Sequence, residues 1–347
     1  MKKVTFSGRT DLGCIRTNNE DAFLVCNIWD DEHILAAVID GVGGYEGGEV
    51  AAALAQETIL EFFNINTEGD CLKLIKEAVI SANNRIFSER EQNPSLSNMS
   101  CVLTACVIEL DSMRVNIAHV GDTRIYQYAS SHIEKLSHDH SLVGYREEIG
   151  DLTEEEAMAH PQRNIISRDV GSGRLAFNDN NYVEVASYPL ESKSQILLCS
   201  DGLCDMVTSK KMVEVLSQAN SVKQKVNSLI DEALKAGGRD NVTVVLVEVD
   251  SDDEEGLDEV LKPVVIEAIE RNIQCPAKKK KKSLHVTVLA LLLAAAIGLF
   301  SYIIFFSDKE STKKISADTT LVAPADTVSV NDSLSSSTVD GVDTDIH

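Results

Sequence analysis

The sequence lacks three features that would point to common classes of protein. Acidic residues outnumber basic ones, and the formal net charge is -23 at pH 7. This balance argues against a nucleic-acid partner, because phosphate binding needs a basic face. The eight cysteines never form a CxxC pair, so we predict reduced thiols in a cytosolic domain. No apolar run follows Lys2 and Lys3, and a secretory signal peptide is not expected.

The glycine-rich segment after Asp40 lacks what a nucleotide-binding loop requires. A dinucleotide fingerprint counted from Gly41 meets Glu46 where its third glycine belongs. A P-loop counted from Gly43 has Glu49 where a lysine should contact the phosphates. What remains is an aspartate at the end of an apolar strand, glycines that allow close backbone approach, and a helix. That arrangement suits a metal bound by a carboxylate and a backbone carbonyl.

Acidic turn motifs recur along the chain, and most of them border an apolar run that is typical of a strand. They are Asn19-Glu20-Asp21, Asp40-Gly41, Asp201-Gly202 and Asp240-Asn241. Carboxylates brought within a few ångströms of each other must bind protons or cations, because buried like charges are unstable without compensation. Oxygen ligands, without Cys or His in the motifs, favour Mg²⁺ or Mn²⁺ over Zn²⁺. The sequence therefore predicts a hard-cation site.

Apolar periodicity predicts one α+β domain over residues 1–249. Strands are predicted at 23–28, 33–39, 102–109, 114–118, 124–128, 195–199 and 242–249, and helices at 48–63, 71–91, 210–218 and 221–236. Short turns between several strands indicate antiparallel neighbours. Antiparallel sheets covered by helices are thus favoured over a doubly wound parallel sheet. Residues 140–181, with one acidic helix near 153–159, are predicted to form a surface insertion.

The C-terminal part of the chain differs in composition from this domain. Residues 250–282 form a linker that is first acidic and then rich in lysine. Residues 284–306 contain no Asp, Glu, Lys or Arg and can cross about 30 Å of hydrocarbon as a helix, so we predict a transmembrane helix at 283–306. The lysine run at 278–282 places its flank in the cytoplasm. The Ser/Thr-rich acidic tail at 307–347 should then be disordered and outside.

The motifs, in their order along the chain, resemble those of the bacterial metal-dependent protein phosphatases, the PPM or protein phosphatase 2C-like family. The resemblance covers about residues 4–249 and rests on Asp11-Leu-Gly13-Cys-Ile-Arg16-Thr-Asn-Asn-Glu20-Asp21, Asp40-Gly-Val-Gly-Gly, Val120-Gly-Asp122-Thr-Arg124, Ser200-Asp201-Gly202-Leu203 and Gly237-Gly238-Arg239-Asp240-Asn241-Val-Thr243. It implies a four-layer α-β-β-α sandwich of two antiparallel sheets flanked by helices. The metal site would lie at one end of that sandwich.

The resemblance also implies a set of metal ligands. They are Glu20, Asp21, Asp40, Gly41, Asp122, Asp201 and Asp240. Asp40 would be catalytic by bridging two Mn²⁺ or Mg²⁺ ions, and the Gly41 carbonyl would bind one of them. Glu20 would help to hold the second ion, directly or through water. A third, looser ion would be shared by Asp122 and Asp201.

The roles of four residues complete the implied chemistry. Asp240 would complete the ligand set of the first ion, and Asp21 would lie just outside the directly bound set of the second. Arg16 matches the arginine that grips the substrate phosphate, for which its planar fork of donors is suited. Val42 stands where some members carry a histidine proposed as general acid, so the proton for the leaving group must come from water or another residue.

The implied activity is hydrolysis of phosphoserine and phosphothreonine in proteins by a water that bridges the two ions. We expect a monomer whose partners are phosphoproteins, the substrates of a Ser/Thr kinase. One C-terminal helix would hold it in the bacterial cell membrane, with the phosphatase domain cytoplasmic. The alternative is a membrane-tethered pseudophosphatase, or a phosphoprotein-binding signalling module, without turnover. The presence of every acidic ligand position argues against that alternative.

Overall fold

The computed structural model describes residues 3–42 and 47–250 of the 347-residue chain. The predicted membrane helix at 283–306, the tail at 307–347, nearly all of the linker at 250–282 and residues 43–46 lie outside the described residues. No helix within the described ranges is both long enough and apolar enough to cross a membrane. The domain boundary at residue 249 and the monomeric state stay predictions.

Two five-stranded sheets form the centre of the domain, and all of their strand pairs are antiparallel. The first sheet has the order β1 (Lys3–Asp11), β10 (Val242–Asp250), β9 (Gln195–Cys199), β6 (Arg124–Ala129) and β7 (His132–Lys135). The second has the order β2 (Asp21–Asn27), β3 (His33–Val42), β4 (Ser100–Glu109), β5 (Arg114–Val120) and β8 (Glu184–Pro189).

Helices cover both outer faces of the paired sheets. They are α1 (Gly48–Ile65), α2 (Cys71–Gln92), α3 (Leu142–Glu148), α4 (Glu154–Met158), α5 (Asp201–Cys204), α6 (Ser209–Leu216) and α7 (Val222–Lys235), with a short 3-10 helix at Pro94–Leu96. The apolar faces of α1 and α2 pack on the second sheet. Those of α5, α6 and α7 pack on the first. The predicted four-layer α-β-β-α order of the domain is confirmed.

Strand β3 shows why the central strands of this fold have long apolar sequences. Ile34, Ala36 and Val38 face the first sheet in the central layer of the core. Leu35, which alternates with them, faces α1 and α2. Successive side chains of a strand point to opposite faces, and here both faces are covered. Apolar residues are therefore required at every position until the strand reaches the end of the sandwich.

The thiols of the described residues are mostly inert. Those that are free belong to Cys26, Cys71, Cys101, Cys106, Cys199 and Cys204, and all but the first are buried. Burial raises the pKa of Cys106 to about 12, which suppresses the reactive thiolate. The prediction of reduced thiols is confirmed for these six cysteines.

Candidate metal centre

The predicted acidic residues converge at one end of the two sheets. Asp21, at the start of β2, is paired in register with Asp40, near the end of β3. Asp201 comes two residues after the end of β9, and Asp240 comes two residues before β10, its antiparallel neighbour. Both therefore lie at the same end of the first sheet. Asp122 lies in the turn that links β5 of the second sheet to β6 of the first. We call these five aspartates and Glu20 the metal centre.

Burial and mutual repulsion raise the pKa values of carboxyl groups in this cluster. Burial raises the pKa of Asp40 well above its ordinary range, and the charges of Asp21, Asp201, Asp122 and Asp240 raise it further. Burial also raises the pKa of Asp201 well above its ordinary range. It raises those of Asp21 and Asp122 to about 7. Near neutral pH these carboxylates are stable only with a bound proton or a bound cation.

The donor atoms fit a divalent cation. Oδ1 of Asp201 is buried and accepts no hydrogen bond in the described part of the chain. Leaving a buried anionic oxygen without a partner is costly, and a cation removes that cost. Every side chain of the metal centre offers carboxylate oxygen, the ligand type of Mg²⁺ and Mn²⁺. The site therefore suits the hard cations predicted from the sequence.

A chain of hydroxyl groups holds Asp21. Its Oδ2 accepts hydrogen bonds from Ser200 Oγ at 2.9 Å and from Thr243 Oγ1 at 2.6 Å. Thr243 Oγ1 in turn lies 2.7 Å from Thr10 Oγ1, which accepts from the Asn19 amide at 2.9 Å. These bonds fix the Asp21 side chain and occupy one of its two oxygens. Sequence reasoning quoted Ser200 and Thr243 within motifs but assigned them no function.

The amide of Asn241 positions the segment that carries Glu20. Its Oδ1 accepts from the Glu20 backbone N–H at 2.8 Å. Its Nδ2 donates to the carbonyl oxygens of Leu12 at 3.1 Å and Asn18 at 3.0 Å. The Glu20 carbonyl then accepts from the Gly41 N–H at 3.0 Å. Residues from three distant parts of the chain are thus locked together beside the carboxylates.

Arg16 contacts the metal centre directly. Its Nη2 lies 2.7 Å from Asp240 Oδ2, and its Nη1 lies 4.0 Å from Glu20 Oε2. The side chain is nevertheless 46% exposed, because it borders an open cleft of about 220 Å³. Arg163 and Arg239 line the same cleft. Sequence reasoning found the first of these three arginines and missed the other two.

The insertion at 140–181 is anchored next to the metal centre. Arg163 Nε donates to Asp205 Oδ2 at 2.5 Å, and Asp205 is the residue that ends α5. At the N-terminus of α6, Glu154 Oε1 accepts from the Ser209 N–H at 2.6 Å and from its hydroxyl at 2.7 Å. The predicted acidic helix is present as α4, which begins with a capping box. The insertion is therefore pinned to α5 and α6 by charged contacts.

The His138-Asp139-His140 segment supports the Asp122 turn. His140 Nδ1 accepts from the Gly121 N–H at 3.1 Å, and the His140 N–H donates to the Gly121 carbonyl at 2.6 Å. His138 Nδ1 lies 2.9 Å from Glu184 Oε1. The histidines thus contact the backbone behind the aspartate and the neighbouring strand.

Comparison with known proteins places this arrangement in a family. Residues 16–237 match the family profile described as Protein phosphatase 2C. The chain is 33% identical over 245 residues to the serine/threonine phosphatase stp of Listeria welshimeri, over 69% of this chain and 94% of that protein. The crystal structure of the Mycobacterium tuberculosis serine/threonine phosphatase PstP/Ppp matches with a TM-score of 0.63 and 31% identity, over 72% of this chain and 100% of the other.

A crystal structure of the PstP catalytic domain in complex with 2 manganese ions matches with a TM-score of 0.62 and 29% identity, over 72% of this chain and 100% of the other. The present chain belongs to the protein phosphatase 2C family. It is a serine/threonine phosphatase, an enzyme of a hydrolase family. The predicted family and fold are thus confirmed, and the related PstP structure contains manganese, one of the two predicted cations.

Proposed function

We propose that this phosphatase removes phosphate from serine and threonine side chains of proteins with two Mn²⁺ or Mg²⁺ ions held by the metal centre, and a third held more loosely. The observation that carries the proposal is the convergence of five aspartates at one end of the sheets, one of them with a buried carboxylate oxygen that lacks a hydrogen bond in the described structure. When bound, the ions lower the pKa of water and neutralise phosphoryl charge. The rest of the proposal concerns the residues of the chain.

Asp40 is the best candidate for a ligand shared by two ions. It is surrounded by the other carboxylates, because four neighbouring aspartates each raise its pKa. Asp201 and Asp240 would complete the set of one ion, Glu20 would serve the other, and the Gly41 carbonyl would bind one of the two. Asp21 would stay just outside that set, since Ser200 and Thr243 already occupy one of its oxygens.

Asp122 and Asp201 would share the loosely held ion. Burial and the charge of Asp122 are the two largest causes that raise the pKa of Asp201, so these two carboxylates lie close enough to repel each other strongly. Arg16 would bind the substrate phosphate from the cleft, because its guanidinium has five N–H donors and its side chain is half exposed beside Asp240. Arg163 and Arg239 add positive charge along the same cleft.

Hydrolysis of a phosphothreonine peptide and of a small aryl phosphate tests the proposal. Both reactions should require Mn²⁺ or Mg²⁺, and Asp40→Asn or Asp201→Asn should lower kcat by at least about a hundredfold. The control is Glu61→Gln, which changes an exposed acid of α1 that pairs with Arg85. A wild type that is inert with either metal would refute the proposal. Peptide binding without phosphate release would instead support a tethered binding module.

We further propose that residues 283–306 anchor the enzyme in the bacterial cell membrane with residues 1–249 in the cytoplasm. The apolar run and the lysines at 278–282 support this orientation. Membrane fractionation of the full chain, compared with a variant that lacks 283–347, tests it. Recovery of the full chain in the soluble fraction would refute it.

A further inference from the structure

Glu49, in the first turn of α1, has a buried carboxylate oxygen whose partner is missing. Its Oε2 is buried and accepts no hydrogen bond among the residues that the structure describes. A carboxylate oxygen removed from water needs a hydrogen bond, a proton or a cation. Within the described residues, Oδ1 of Asp201 is likewise buried without a hydrogen bond. Each of the two oxygens therefore needs a partner. Under the proposed function, a bound cation is that partner for Asp201.

Stabilisation of its own helix does not account for Glu49. In α4 the first-turn residue Glu156 accepts a hydrogen bond from the Thr153 N–H at 2.9 Å and completes a capping box. In α1 the residue before the helix is Gly47, which offers no side chain for capping. The helix dipole favours an acidic residue at this end. It does not require the carboxylate to be buried with one oxygen unbonded.

The backbone places Glu49 beside two predicted ligands. Gly41 and Gly48 approach so closely that a Cβ on Gly41 would lie 2.3 Å from the Gly48 carbonyl oxygen. A Cβ on Gly48 would lie 2.9 Å from the carboxyl carbon of Glu20 and 3.0 Å from the Gly41 carbonyl oxygen. Glu49 follows Gly48 directly.

We propose that Glu49 is an additional cation-binding residue of the metal centre. Its carboxylate would act with the carboxylate of Glu20 and the carbonyl of Gly41 on a divalent cation, or on water bound to that cation, at the α1 side of the site. The ligand is Mn²⁺ or Mg²⁺, because all three donors are oxygen atoms. The inference rests on the proposed metal-dependent function and adds a residue to it. The residue that rules out a P-loop in the sequence thereby acquires a positive role.

Equilibrium Mn²⁺ binding to the full-length protein tests this role without any need for turnover. Calorimetry and electron paramagnetic resonance count the bound ions and give the affinity of each class of site. Glu49→Gln should weaken one class by about tenfold or more, as loss of a supporting ligand residue commonly does. Its metal-free melting temperature should equal that of the wild type. Glu49→Asp, which keeps the charge but shortens the side chain, should give an intermediate affinity.

Glu61→Gln is the matched control, since it removes an exposed charge from the same helix. Wild-type affinity at every site in Glu49→Gln would overturn the inference. An equal loss in Glu61→Gln would also overturn it, because the effect would then come from bulk charge. A lower metal-free melting temperature with unchanged Mn²⁺ affinity would assign Glu49 a structural role instead. Failure of the wild type to bind Mn²⁺ would refute the proposed metal centre as a whole, and that result is distinct from the others.

Discussion

The guanidinium of Arg16 and the carboxylate of Asp240 form an ion pair at the mouth of the metal centre, with 2.7 Å between Nη2 and Oδ2. A divalent cation at Asp240 carries the same sign of charge as Arg16. The two must therefore share the negative charge of one carboxylate. Arg16 would then oppose metal binding while it assists phosphate binding.

Replacement of Arg16 by Ala should accordingly move two affinities in opposite directions. Mn²⁺ should bind about two- to fivefold more tightly, since a half-exposed ion pair is worth roughly 0.2 to 1 kcal/mol. The KM for a phosphopeptide and the inhibition constant for inorganic phosphate should rise by about tenfold, because charge-assisted hydrogen bonds are lost. Calorimetry and steady-state kinetics measure the two quantities. Changes of the same sign would contradict the shared-carboxylate explanation.

The acidity of the metal centre predicts how the metal-free protein responds to pH. Asp21 and Asp122 have pKa values of about 7 in the folded protein, against an ordinary value of 3.8. Between these values the folded state binds protons that the unfolded state does not. The free energy of unfolding should therefore fall as pH rises from 3.8 to about 7.

Melting temperatures in the presence of a chelator provide the measurement. The metal-free protein should melt at least about 4 °C lower at pH 7.5 than at pH 5.5, and Mn²⁺ at pH 7.5 should reverse the loss. Asp21→Asn should show a weaker pH dependence, because one of the groups that bind a proton only in the folded state is gone. A melting temperature that rises between these pH values would show that the aspartates are not protonated.

The hydroxyls that hold Asp21 should contribute measurably to stability. Thr243→Val keeps the shape of the side chain but removes the 2.6 Å hydrogen bond to a buried carboxylate. The free energy of unfolding should fall by about 1 to 3 kcal/mol, as measured by urea denaturation. Thr5→Val, at an exposed position of β1, is the matched control and should change it by less than about 0.5 kcal/mol. Equal effects of the two substitutions would remove the special role of Thr243.

Strands with an apolar run were predictable from the sequence, whereas the edge strands β1, β7 and β8 were not. The seven predicted strands are β2 to β6, β9 and β10, each of which carries an apolar run. Strand β1 contains Gly8 and Arg9 and has no fully buried residue, so it shows no apolar pattern. Its conformation comes from pairing with β10, from Lys3 opposite Asp250 to Asp11 opposite Val242. A partner so distant along the chain leaves no local signal.

Some residues of the metal centre were predictable from the sequence, and others were not. Its acids were predictable, because turn residues at strand ends are brought to one edge by antiparallel pairing. The contact between Arg163 and Asp205 joins residues 42 positions apart in the chain, and neither belongs to a motif. In the sequence, Glu49 stands out only because a P-loop requires a lysine at its position. Its buried, unbonded oxygen is a property of packing, which a single sequence does not reveal.

The carboxylates of the metal centre belong to different layers of the sandwich. Asp21 and Asp40 come from the second sheet, and Asp201 and Asp240 flank strands of the first. Without a cation they repel each other across the seam between the sheets, while apolar contacts such as those around Ile196 hold the rest of the seam closed. A cation bound among them would act as a clasp between the two halves of the domain. The cation that takes part in the reaction would then also stabilise the fold of the domain.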